Sequence, residues 1–294
     1  MLILNPNDRI FINRLVNIDG AEYYQFKDAD RRFSLSWLAL LFAVLLIWFA
    51  GWQGIRALFS LALSVVAILF VLVPALLAGY NPIWVSLAVS GIILALVFFI
   101  THGFNRRSLI AFIGTFGAVF FTCILAAFWT GAMRLTGFSS DASIYLNFST
   151  QGSLDFTGLL LGSIIIGILG VLDDVSITQA SVVQELKAAN HKLSFLELYK
   201  RAIRVGRDHV ASLVNTLALA YVGVSLPLIM FLSQSEASFG MIVNQELVAT
   251  EMLRIMVGSI GLILAVPLTT LLAAWWFARF KRLPHPDSST HHHH

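Results

Sequence analysis

The sequence predicts an all-α fold: a polytopic membrane helix bundle of about seven transmembrane helices, with the N-terminus outside and the C-terminus inside. Three observations lead there. Hydrophobic residues make up 58% of the 294 and charged residues only 12%, with a mean hydropathy of +0.82, a composition foreign to soluble domains. The apolar residues gather in seven runs, each long enough for a membrane core that needs about 20 helical residues. The Lys and Arg residues sit mostly between those runs, where topology signals belong.

Residues 1–33 read as a mixed-charge extracytoplasmic tail with one or two short strands and a turn at Asp19-Gly20. The apolar runs lie near 34–53, 57–79, 83–104, 109–135, 154–186, 209–232 and 249–280, so that 34–280 is the transmembrane bundle. The fifth and seventh runs exceed a perpendicular crossing and are expected to tilt or to project into water. Trp37, Trp52, Trp84, Trp129, Trp275 and Trp276 fall near run ends, as an interfacial aromatic belt requires. The interval 187–208 is basic and helical in pattern, and is expected to lie along the inner membrane surface. Residues 281–294 form a C-terminal tail closing in four histidines that look like a purification tag.

Orientation follows from basic residues. With the C-terminus inside, Arg56, Arg106, Arg107, the Lys/Arg of 187–207, and Arg279, Lys281 and Arg282 are cytoplasmic. Of the outside residues, all but Arg134 and Arg254 belong to the tail. Export of a tail ending in Arg31-Arg32 implies either a preceding helix or a different first span. The net charge of +3 reflects loop topology and not a nucleic-acid surface. The single cysteine, Cys123, lies in an apolar run, so no internal disulfide or Cys-based metal site is available. No cofactor or nucleotide loop is visible. The expected partners are membrane lipids, protons or small cations, and a second copy of the chain.

The motif that singles out a function is Asp173-Asp174, within Gly167-Ile168-Leu169-Gly170-Val171-Leu172-Asp173-Asp174-Val175 of the fifth run. A charged Asp at the centre of a membrane helix costs about 2.5–3.5 kcal/mol on insertion scales; two side by side are a functional signal. Ser163, Gly167, Gly170, Asp174, Thr178, Ser181 and Glu185 recur at steps of three and four, one stripe of small and polar groups. Asp173 points about 100° away from Asp174, giving the two carboxyls different surroundings, as a relay needs. Gly158-x-x-x-Gly162, and Gly258 with Gly261, offer seams for close helix packing. In the sixth run Ser212, Asn215 and Thr216 are supporting polar groups, either interhelical glue or partners of the Asp pair. His102 and His209 read as solvated rim histidines, and Arg254 as a structural residue that snorkels or pairs with Glu251.

Thr101-His102-Gly103-Phe104-Asn105-Arg106-Arg107, Gly170-Val171-Leu172-Asp173-Asp174-Val175 with Thr178-Gln179-Ala180, Gly206-Arg207-Asp208-His209 with Asn215-Thr216, and Val257-Gly258-Ser259-Ile260-Gly261 leading to Val266-Pro267-Leu268 resemble, in order, the bacterial YibE/F family. That resemblance implies a multi-spanning membrane protein of presumed transport function. A weaker resemblance, carried by the Asp pair, Ala202-Ile203-Arg204-Val205-Gly206 and Asn215-Thr216, is to one repeat of resistance-nodulation-division permeases, in which such aspartates carry protons. Only the short Ala78-Gly79-Tyr80-Asn81-Pro82 turn stands where those pumps carry a large insertion, a departure that puts export by a porter domain in doubt.

The reading these features support is a proton- or cation-coupled secondary transporter of the bacterial inner membrane. The relay is Asp173, Asp174 and Thr178, supported by Ser181, Ser212, Asn215 and Thr216. The alternative is an accessory or assembly protein that binds another membrane protein through its glycine and polar seams. An enzyme is not expected: an aspartyl protease brings its two carboxylates together from separate helices, and adjacent positions on one helix diverge.

Overall fold

Gly51 sets the first boundary. The computed structural model describes residues 9–16 and 22–279, beginning with an antiparallel pair, β1 (Ile10–Val16) and β2 (Glu22–Ala29), in which Val16 faces Glu22 and Arg14 bridges to Glu22. The expected turn at Asp19-Gly20 and the 281–294 tail fall outside the described residues. α1 (Arg32–Ala50) follows and buries none of its residues. Gly51 then takes φ +58° and its amide closes onto the Ile47 carbonyl, a left-handed conformation that glycine adopts without a Cβ clash. α2 (Trp52–Ala67) starts at once, so Arg56, expected in a loop, is helical. The chain divides into two compact units between Leu58 and Phe59, within α2.

α2 runs through a π-helical turn (Ile68–Leu72) into α3 (Val73–Leu77) as one span of 26 residues. α4 (Pro82–Leu96), capped by Asn81, also ends in a π-helical turn (Val97–Thr101). The other long helices are α5 (Arg106–Ala132), α7 (Phe156–Ala189), α8 (Phe195–Val224) and α11 (Glu246–Arg279). Asn105, Asp155 and Ser194 cap the first three, each side chain accepting from an amide of the first turn. Short helices α6 (Asp141–Ser149), α9 (Leu226–Ser233) and α10 (Phe239–Val243) lie in the connections. Glu246, first in α11, accepts from the amides of Thr136 and Gly137 and from the Thr136 hydroxyl, and so clamps the loop after α5. Among the described residues six helices are long and apolar enough to cross a membrane, and up to seven if α8 and α9 count as one bent span. The protein is an all-α, multi-span membrane bundle.

Two expected boundaries are corrected. The sixth run, 209–232, is not one straight helix: α8 stops at Val224 and α9 leaves at 64° to it. Pro227 is the physical reason, since it has no amide to donate to the preceding turn. The basic interval 187–208 is not a separate surface helix either. Its first residues complete α7, 190–194 make a turn, and 195–208 are the first half of α8. Leu198, Ala202 and Gly206, every fourth residue, are buried and hold that half against the bundle.

The core is built on α5, α7 and α11, with α4 against α7 and α8 against both α11 and α7. Small residues set the spacing. A Cβ on Gly114 of α5 would meet Thr269 of α11, including its Cα at 3.1 Å, and one on Gly261 of α11 would meet Thr122 of α5. The pattern is reciprocal: glycine faces threonine in both directions, eight residues apart on each helix. Gly158 and Gly162 are filled in the same manner by Pro82 and Ser86 of α4, and Gly258 by Ile168 and Leu217. These seams are therefore occupied within the chain. Cys123 is buried and free.

Candidate functional site: the open polar face of α7

The back of α7 is dry. Leu172, Val175, Ser176, Gln179 and Ala180 are buried, Ser176 within 3.2 Å of the Thr269 hydroxyl and Gln179 donating to the Ala202 carbonyl at 2.8 Å. Its front is not. Ser163, Gly167, Gly170, Asp174 and Glu185 are exposed, and Asp173, Thr178 and Ser181 are half-buried. The stripe expected from the spacing is thus real, and it faces outward from the chain. Nothing lies within 4 Å of a Cβ on Gly170, and only the Tyr221 hydroxyl, at 3.0 Å, meets one on Gly167. These two glycines differ from the filled seams.

The Asp pair has two environments. The half-buried Asp173 carboxylate turns back to accept from the Asp174 amide at 2.8 Å, whereas the Asp174 carboxylate is exposed and accepts no hydrogen bond among the described residues. Thr178 lies one turn beyond Asp174 on the same side, and Ser181 donates to the Ile177 carbonyl. On α8, Ser212, Asn215 and Thr216 are exposed, and Thr216 donates to the Ser212 carbonyl. No hydrogen bond joins these three to Asp173 or Asp174 among the described residues. Two cavities, about 490 Å³ beside Asn81, Pro82 and Asp155 and about 570 Å³ beside Arg207 and Pro267, are not lined by the pair.

Depth follows from the neighbours. A Cβ on Gly206 would touch Gln179, so Arg204 and Arg207 sit near the level of Gln179. Asp174 is five residues further along α7, about 8 Å. The pair sits at the midpoint of α7 (Phe156–Ala189) and of its polar stripe. His102 agrees with that level. It lies in the 102–105 loop after the π-helical turn that packs on α7, is half-buried, and feels Arg107 and Asp174 electrostatically. Burial first, and then Arg107, hold its pKa below the ordinary histidine value, with Asp174 opposing them. His102, expected as a solvated rim histidine, is half-buried, and Asp174 is among the charges that act on it.

At the opposite end of the stripe Arg254 donates to Glu251 at 2.8 Å, as one of the expected alternatives had it, and also to the Ser163 hydroxyl at 3.3 Å. Its guanidinium lies 5.8 Å from the Tyr221 ring centroid. Arg254 thus ties α11 to α7 and α8. Sequence reasoning missed this tie, the Ser176–Thr269 contact and the Gln179–Ala202 bond. Gln179 stood in the motif, but its partner is a backbone carbonyl that no side-chain pattern announces.

A family model described as YibE/F-like protein matches residues 38–279. The chain belongs to that family. No curated protein and no solved structure matches it. The family match covers every residue of the polar face, from Ser163 to Glu185, and the α8 and α11 groups that flank it.

Proposed function

We propose that the chain is a secondary transporter of a bacterial cytoplasmic membrane, coupled to protons or a small cation through Asp173 and Asp174, and not an enzyme. The observation that carries this reading is an Asp pair on an open polar face in a chain whose Gly158–Gly162 and Gly258–Gly261 seams are filled from within. The stripe from Ser163 to Glu185 rises about 33 Å along α7, comparable with a hydrocarbon core of about 30 Å. An adjacent pair with one carboxyl half-buried and the other exposed supplies the unequal sites that a stepwise relay uses. Thr178 is the next polar group toward the Lys/Arg-rich end.

The test is reconstitution into liposomes with an internal pH dye and a panel of ions and solutes. Asp174→Asn is expected to fold and to abolish coupled flux; Asp173→Asn weakens it, because the amide keeps the shape and loses the titratable proton. Full flux from the double Asn variant at every pH defeats the relay.

One observation favours a second reading. The same face, with Asn215 and Thr216 exposed beside it on α8, suits a helix of another membrane protein, which would make the chain an accessory subunit. A second copy of the chain is the partner we favour for that face, because cyclic pairs are the commonest closed assemblies and parallel repeats recur in transporters.

A further inference from the structure

Lys200, Arg204 and Arg207 fall at i, i+4 and i+7 on α8 and are all exposed. None makes an ion pair among the described residues. Glu197 in the first turn is engaged by the Ser194 hydroxyl and amide at 2.7 and 2.9 Å, and Asp208, next to Arg207 and four residues from Arg204, is exposed and pairs with neither among the described residues. The helical line of this stripe continues, one turn on, into Ala211 and Val214. Alongside it α8 and α11 leave a groove of about 570 Å³, lined among others by Ile203, Arg207, Val214, Ile263 and Pro267. Its lining is mostly apolar, with Arg207 midway along the α8 wall between Tyr199 and Val214. Ser212 and Thr216 lie about 110–150° around α8 from this face, and Asn215 about 50° from it.

A solvated basic face needs no apolar groove, and an apolar groove open to lipid needs no row of unpaired cations. We propose that the groove between α8 and α11 is a binding site for an anionic phospholipid. The headgroup phosphate lies on Arg204 and Arg207, with Lys200 adding charge, and one acyl chain lies in the groove. The guanidinium forks match phosphate oxygens in geometry and charge, and basic residues at the membrane surface attract anionic leaflets. The groove runs beside the cations from Tyr199 to Val214, so a phosphate on Arg204 and Arg207 leaves apolar wall within reach of its acyl chain.

Native mass spectrometry of the delipidated full chain, titrated with phosphatidylglycerol or with phosphatidylcholine of the same acyl chains, tests this. Phosphatidylglycerol is expected to be retained preferentially. Arg204→Gln and Arg207→Gln, both on exposed positions, are expected to lower that affinity about fivefold for each charge removed. Ala211→Trp, which obstructs the groove and leaves the charges in place, is expected to release both lipids. Equal retention of the two lipids by the unaltered chain overturns the proposal, as does an unchanged phosphatidylglycerol affinity in Arg207→Gln. Displacement of bound phosphatidylglycerol by millimolar inorganic phosphate also overturns it, because the stripe is then a site for a soluble anion.

Discussion

At the scale of single residues, His102 offers a probe of Asp174 that does not depend on knowing a substrate. Burial and Arg107 depress the histidine's pKa, and Asp174 pulls it back up. A depressed folded-state value means that the unfolded chain binds the proton more readily. Stability linked to this group is therefore complete above the ordinary histidine value of about 6.5 and is lost as pH falls below it. Asp174→Asn removes the negative charge and is expected to lower the His102 pKa further, while Arg107→Gln is expected to raise it; NMR titration of the labelled imidazole reads both. An unchanged value in Asp174→Asn would show that the two groups do not sense each other. The glycines separate in a comparable way. Gly261→Leu drives a side chain into Thr122 and is expected to cost about 3 kcal/mol or more, seen as a lost or sharply lowered thermal transition. Gly170→Leu enters open space, and the thermal midpoint of the monomer is expected to shift little. The sequence made the stripe on α7 legible because its period is local. It could not distinguish filled from open glycines, since the atoms that fill them, on Ser86, Thr122 and Ile168, come from elsewhere in the chain.

At the scale of elements, the apolar runs located the long helices, because about 20 apolar residues in a row leave a chain few alternatives in lipid. What the runs could not place was the bend at Ser225 or the continuity of 195–208 with α8. Both depend on tertiary packing: Pro227 permits the bend, and burial of Leu198, Ala202 and Gly206 keeps the basic half helical. α8 is 30 residues, about 45 Å, longer than the hydrocarbon core. The turn between α7 and α8, where Lys187 donates to the carbonyls of His191 and Leu193, therefore stands clear of the apolar layer. A cysteine at Asn190 in that turn is expected to react with impermeant reagents only from the cytoplasmic side, and one at Asn147 in α6 only from outside. Cys123 is buried and leaves the background low. The reverse labelling pattern would invert the orientation drawn from the Lys/Arg asymmetry.

At the scale of the whole molecule, the proposed pairing of two chains makes a measurable demand. If the α7 face is closed by a second copy, the protein in lipid nanodiscs has the mass of two chains, and Gly170→Leu converts it to one without lowering the stability of the monomer. A single-chain mass at all concentrations, with flux retained, would remove the pairing and place the pathway within one protomer. The family assignment and the all-α class were readable from the chain because motif order and hydropathy are properties of sequence. The open face was not, because exposure is settled only once every other helix has taken its place.

The reciprocal glycine–threonine contacts between α5 and α11 limit what any working cycle can do. Gly114 faces Thr269 and Gly261 faces Thr122, so sliding either helix by a residue or two drives a threonine out of its notch and onto a larger neighbour. Packed interfaces of this kind shift by discrete steps or not at all. α7 is held to the same pair, since its Ile168 fills Gly258 and its Ser176 lies against Thr269, so the three helices would act as one fixed block in any such cycle.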